Sequence, residues 1–148
     1  MSIFPKFLLV MSGLMLGGCA INRDTANFDP NKDVVATDVF YVERFEPDQR
    51  HLNQTIADKI SVRGYEVTAG ETGQAPANTT VLVTYVDKWQ WDITNYLIEL
   101  TMTFRDPVSG AAIASGNSYH TSLSRLSPEE MIDEVLTNII EADRTPAK

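Results

Sequence analysis

From Val39 onward the chain alternates between two spacings of apolar residues, every second position and every third or fourth, the pattern of strands taking turns with helices. Val39–Glu46 (VFYVERFE) is β-branched and aromatic between polar neighbours and reads as a strand buried on both faces. Pro47–Arg63 places Leu52, Ile56 and Ile60 one turn apart with Ala57 beside them, while Arg50, Asp58, Lys59 and Arg63 take the other faces. Gly64 supplies the left-handed position that ends such a helix, and Tyr65 is placed for the accompanying apolar contact. Tyr65–Ala69 resumes as a short strand. Strand, helix and strand form a crossover unit if the two strands are parallel neighbours.

Gly70–Thr79 (GETGQAPANT) has loop composition. The strongest strand signal follows it. Thr80–Asp92 puts Val81, Val83, Tyr85, Asp87, Trp89 and Trp91 on one face and Leu82, Thr84, Val86, Lys88, Gln90 and Asp92 on the other. After a short polar connection near Thr94-Asn95, Tyr96–Arg105 alternates again. Tyr96, Ile98, Leu100, Met102 and Phe104 face one way, and Leu97, Glu99, Thr101, Thr103 and Arg105 face mostly water. The two runs predict an antiparallel hairpin. Asp106–Gly110 is a turn, and Ala111–Thr121 extends the hairpin to a meander, with Gly116 marking a bulge or a close backbone approach. Ser127-Pro128-Glu129-Glu130 opens a last helix with a capping box, and Met131, Val135, Leu136, Ile139 and Ile140 form its apolar stripe. The predicted order is β-α-β-β-β-β-α: an α+β, two-layer sandwich in which two amphipathic helices cover a largely antiparallel sheet.

The segments before Val39 are of another kind. Met1–Lys6 carries one base and no acid, and Phe7–Gly17 is apolar apart from Ser12. That run is too short to span a bilayer, which takes about 20 apolar residues as a helix. A basic start, a short apolar middle and small residues before a break are the marks of a cleaved export signal. The break falls at Leu16-Gly17-Gly18-Cys19, which resembles the lipobox of bacterial lipoproteins. The resemblance implies cleavage between Gly18 and Cys19, diacylglycerol on the Cys19 sulfur and a further acyl chain on its amine. Each buried methylene contributes about 0.8 kcal/mol, so several chains together anchor firmly where one is marginal. Ala20, not Asp, follows the cysteine, which in that family favours the outer membrane. The implied location is its inner leaflet, facing the periplasm. Expected segments are residues 1–18 as signal, 19–38 as lipidated cysteine and tether, 39–142 as one domain and 143–148 as a disordered tail. Extended, that tether would reach about 60 Å.

Cysteine count and charge agree with this picture. Cys19 is the only cysteine, so there is no disulfide framework, and acylation accounts for a lone thiol in an exported chain. A net charge of −8 argues against nucleic acid and against anionic lipid surfaces as partners, since both select clusters of Lys and Arg.

Candidate chemistry is sparse. Tyr85, Asp87, Trp89 and Trp91 on one strand face, with Tyr96 nearby, form a candidate binding surface, since neighbouring aromatics can stack on a sugar ring or a partner's side chain. The competing interpretation packs the aromatics into the core and places Asp87 at the wet end of the sheet. His51 and His120 are the only histidines and match no zinc-binding spacing, so neither metal nor cofactor is expected. His120 with Ser118, Ser122 or Ser124 could be arranged as a hydrolase site, but there is no nucleophile-elbow motif. In layout the domain resembles the small α+β domains of outer-membrane lipoproteins, such as the lipopolysaccharide-assembly lipoprotein and the activators of cell-wall synthases. The expectation is a non-enzymatic accessory, held to the membrane through Cys19, that binds an envelope protein. A binding module for a glycan or lipid is the alternative, and a hydrolase ranks third.

Overall fold

The computed structural model describes residues 23–141. Six strands, β1 (Arg23–Phe28), β2 (Val39–Glu43), β3 (Glu66–Gly70), β4 (Val81–Asp92), β5 (Thr94–Arg105) and β6 (Ala112–Tyr119), share one sheet in the order β1-β6-β5-β4-β2-β3. β2 runs parallel to both β3 and β4, and the other pairings are antiparallel. The predicted crossover is therefore present: β2, α1 (Leu52–Val62) and β3 form a parallel unit. α2 (Pro128–Leu136) follows β6 and runs on as a wider π turn over Thr137–Glu141. The fold is α+β, as the periodicity predicts.

Both helices lie on one face of the sheet. On that face Phe40 stands beside Val81, Val42 beside Val83, Val83 beside Phe104 and Tyr85 beside Met102. These side chains share a single apolar cluster with Leu52, Ile56 and Ile60 of α1 and with Met131, Ile132, Val135 and Leu136 of α2. Full burial of each large aliphatic or aromatic side chain contributes about 1.5–3 kcal/mol. Alternation sends Leu82, Thr84, Thr101, Thr103, Ser115 and Asn117 to the opposite face, which neither helix covers. That face is tied by its own side chains: Thr103 Oγ1 lies 3.1 Å from Ser115 Oγ, and Asn117 donates to Thr101 Oγ1 at 2.8 Å.

Local chemistry explains the element ends. Gly64 has φ 91°, beyond the comfortable range of other residues, and its N–H donates to Ser61 O at 2.9 Å. The ring of Tyr65 then packs edge-on against Phe40, 5.0 Å between centroids. At α2 both halves of the predicted capping box are formed between Ser127 and Glu130. The helices are tied to each other through Asp133, which accepts from Lys59 at 2.5 Å and from Arg63 at 3.1 Å. Burial pushes the Asp133 carboxyl up, but the two bases outweigh it and hold the pKa below its ordinary value.

Three sequence expectations need correction. Arg23–Phe28, assigned to the tether, is an edge strand paired with β6 over its whole length. Its composition is polar because an edge strand is held by backbone bonds and needs little apolar burial. The first helix begins at Leu52, not Pro47, because residues 47–51 are organised around Asp48. Leu97, expected to face water, is 1 % exposed. A register shift after Lys88 sets that residue opposite Glu99 but Trp89 opposite Leu97, leaving Ile98 as the extra residue and turning Leu97 inward. Residues 1–22 and 142–148, with the signal, Cys19 and the expected tail, lie outside the described residues.

At Gly116 the sheet backbone lies close against the last helix. A Cβ there would stand 2.8 Å from Val135 Cγ1 and 3.0 Å from Ile139 Cγ1. We expect Gly116→Ala to destabilise the domain by about 1–3 kcal/mol through overpacking, read from the midpoint of urea unfolding. An unchanged midpoint would refute the close approach.

Candidate functional site

The long β4–β5 hairpin carries all five residues of the expected binding surface, and the structure separates them. Tyr85 is 3 % exposed and belongs to the core. Tyr96 is also buried; its hydroxyl donates to Gln90 Oε1 at 3.0 Å and the Arg125 guanidinium lies 4.1 Å above its ring. These two are therefore not part of an exposed surface. The bulge after Lys88 is the reason for Tyr96, since it puts that ring opposite Gln90 and not beside the tryptophans. Trp89 is half-buried, its indole N–H donating to Asp87 Oδ2 at 2.5 Å and its ring lying 3.8 Å under the Arg50 guanidinium. Trp91 alone of the five stands fully in solvent, 72 % exposed. No multi-residue turn joins the strands: Asp92 pairs with Thr94, and Ile93 forms the tip by itself.

Asp48 is a site that pattern reading missed. It lies just before α1 with only 1 % of its surface exposed. Its carboxylate accepts from Arg50 N at 2.6 Å, Leu52 N at 2.6 Å and the Tyr85 hydroxyl at 2.5 Å. The side chain thus takes the place of a capping residue for the helix and joins it to β4. Its own carbonyl accepts from Arg44 Nε at 3.2 Å and Nη2 at 2.9 Å. Burial raises the Asp48 pKa, but the hydrogen bonds from Tyr85, Arg50 and Leu52 more than offset it, leaving the carboxyl below its ordinary value. Burial and the bond to Asp48 together push the Tyr85 phenol far above its ordinary value. The available signal was an Asp a few residues ahead of an amphipathic run.

A second polar cluster joins β6 to α2. Glu134 Oε2 accepts from the Ser118 hydroxyl and lies 2.8 Å from His120 Nε2. Ser118 near the end of β6 and His120 just past it, whose N–H still bonds Ile98 O, are two residues apart and point to the same side, which is why both reach one carboxylate. Ser118 is wholly buried, and its proton is directed to Glu134 and not to the imidazole. This geometry ties a helix to a strand; it is not the nucleophile–base contact that hydrolysis requires. Ser122 and Ser124 sit in the short 3-10 turn that follows β6.

A cleft of about 390 Å3 opens beyond the end of β2, lined by Phe45, Pro47 and Tyr85 with Glu43, Arg44 and Glu46 at its polar side. Neither tryptophan nor Asp87 lines it. Among the described residues no group of three or more His, Cys, Asp or Glu side chains is placed to hold a metal ion, and no helix is long and apolar enough to cross a membrane.

No protein family matches the chain by sequence, and no curated protein does. The fold does have counterparts among solved structures. The PelC dodecamer from Paraburkholderia phytofirmans aligns with a TM-score of 0.61 at 16 % identity, over 80 % of this chain and 98 % of that one. A point variant of the same dodecamer gives 0.59 at 19 %, over 80 % and 97 %. A PDZ domain protein from Parabacteroides distasonis ATCC 8503 gives 0.50 at 8 %, over 87 % of this chain but 38 % of that one. At such identities the likeness establishes the architecture: an α+β domain with one helix-covered sheet face.

Asp48 sets an acid limit on stability. Its pKa is lower folded than unfolded, so its contribution is complete above the ordinary carboxylate value of about 4 and is lost as pH falls through the folded value. Asp48→Asn should cost about 1–3 kcal/mol at neutral pH, because it weakens three buried bonds. In urea unfolding the gap between variant and wild type should close as the pH is lowered. A gap independent of pH would refute the role of the ionised carboxylate.

Proposed function

We propose that this chain is a lipid-anchored protein of the bacterial envelope that works by assembling with other protein chains, copies of itself first, and not by catalysis. The lipobox-like Leu16-Gly17-Gly18-Cys19 supports the anchor, and Ala20 supports the periplasmic side of the outer membrane as the location. The observation that carries the assembly is the sheet itself. One whole face lies outside the helical layer, and β1 and β3 end it as edge strands with half of their backbone groups unpaired within the sheet. Such edges invite pairing with a further chain. The occurrence of the same fold in a PelC dodecamer supports self-association in a domain of this architecture. A second reading, a carrier of a small glycan or lipid, is favoured by the cleft beside Phe45 and Tyr85, whose volume suits a small ligand.

Two measurements on the full-length protein, matured in cells, test the proposal. Intact mass should find acyl chains on a chain that begins at Cys19, and Cys19→Ser should abolish both the modification and the cleavage; an unmodified Cys19 in the wild type would overturn the anchor. Crosslinking in the envelope, read by mass spectrometry, should find self-links or one dominant partner. Val86→Lys, on the uncovered face at a position 44 % exposed, should weaken them without unfolding the domain. A protein that stays monomeric and unlinked would overturn assembly and favour the ligand carrier.

A further inference from the structure

Cys19 is separated from the start of β1 by few residues, which limits how far from that end of the sheet a lipid anchor on it could hold the bilayer. Because β1 begins at Arg23 and not near Val39, the four residues back to Cys19 span at most about 14 Å instead of the full reach of the expected tether. Arg23 pairs with Tyr119, Tyr119 with Glu99 and Glu99 with Lys88, so these four residues form one row across the sheet. Beyond that row β4 runs on from Lys88 to Asp92, four more residues or about 13 Å of strand. The chain therefore leads back from β1 toward Cys19 at the end of the sheet from which the hairpin tip projects, with a maximum reach comparable to the tip's extension.

That end is apolar where it projects furthest. Trp91 is 72 % exposed, Ile93 at the tip 87 %, and Leu123 of the neighbouring 3-10 turn 82 %. Val62 and Val108 are exposed too, but they lie beside the opposite end of the sheet, at the close of α1 and in the β5–β6 turn. Ile93 also has φ 63°, a left-handed conformation that glycine or asparagine would hold without strain and that a β-branched side chain resists. A strained, water-exposed isoleucine is a departure from local preference of the kind found at functional positions. Two of the acids beside it are held in ion pairs, Asp92 with Arg125 at 3.1 Å and Glu99 with Lys88 at 2.6 Å, and Asp87 accepts the Trp89 indole N–H.

We propose that the hairpin tip is a second membrane contact, with Trp91, Ile93 and Leu123 inserted at the headgroup–acyl boundary of the phospholipid bilayer that holds Cys19. Tryptophan favours that depth because its ring is apolar and its N–H polar, and aliphatic neighbours add buried area. The contact sets orientation: the acyl chains hold the domain at the surface, and the tip stands the strands upright on it. The proposal rests on acylation of Cys19.

The test uses the full-length protein, matured in cells, in vesicles of phosphatidylethanolamine and phosphatidylglycerol whose acyl chains carry bromine near the headgroup. With Trp89→Phe, Trp91 is the only tryptophan. Its emission should be quenched by the brominated lipid, shift to shorter wavelength and be shielded from iodide. Ile93→Asn with Leu123→Ser should reduce the quenching several-fold while the protein still floats with the vesicles. Protein that carries acyl chains and floats, but whose Trp91 is open to iodide and untouched by bromine, would overturn the tip contact and leave the anchor standing. Shielding from iodide without bromolipid quenching would overturn it in favour of a protein-covered tip. Protein that carries no acyl chains and does not float would remove the anchor itself, and the proposal with it.

Discussion

The carboxylate of Asp48, out of reach of water where β2, α1 and β4 meet, decides how the first helix joins the sheet. A buried carboxylate is costly unless its oxygens are taken up, and here two backbone amides and the Tyr85 hydroxyl take them. In return it supplies what the helix start lacks, since the His51 side chain at the cap position makes no capping bond and the residue sits in the left-handed region at φ 57°. The arrangement also holds β4 in place, because Tyr85 cannot leave without exposing two buried polar groups at once. α2 is held by a parallel device further along the sheet. Glu134 accepts a hydrogen bond from the Ser118 hydroxyl and meets His120, while Ser127 and Glu130 cap the helix start.

These ties produce a domain with two unlike faces and two unlike ends. The helix-covered face is sealed by aliphatic and aromatic side chains around Phe40, Phe104 and Leu136. The other is a lattice of hydroxyls, amides and ion pairs that satisfies itself within the sheet, as the bonds of Thr103, Asn117 and Arg105 show. Such a face survives in water without a covering layer. At one end the β5–β6 turn is closed by Asp106, which accepts from the amides of Val108 and Ser109 and from Lys32, and whose carboxyl lies far below its ordinary pKa. At the other, the hairpin leaves Trp91 and Ile93 unsheltered.

Much of this was legible from periodicity. The core-facing positions of β4, the glycine stop at Gly64 and the Ser127 cap all follow from local rules that the fold obeys. The misreadings have physical causes. β1 was hidden because an edge strand gains its stability from the ladder to β6, and RDTANF carries no strong apolar alternation. The bulge was hidden because one extra residue at Ile98 reverses the side on which every residue before it points, a change that no alternation count can register. Asp48 and Glu134 were passed over for another reason. Each matters through partners distant in sequence, Tyr85 for one and Ser118 with His120 for the other, and only the assembled sheet brings them together.

The short reach from Cys19 to β1 ties the two proposals to each other. With the cysteine and the hairpin tip both at the bilayer, the strands would stand along the membrane normal. Then the edges β1 and β3 and the uncovered face would all point sideways, toward neighbours held in the same leaflet. Confinement of anchored chains to one plane raises their effective concentration, so contacts too weak to hold a complex in solution become sufficient there. A polar sheet face suits that setting better than an apolar one would. It would stay soluble during export and would bind only once anchoring had fixed its orientation and brought copies side by side.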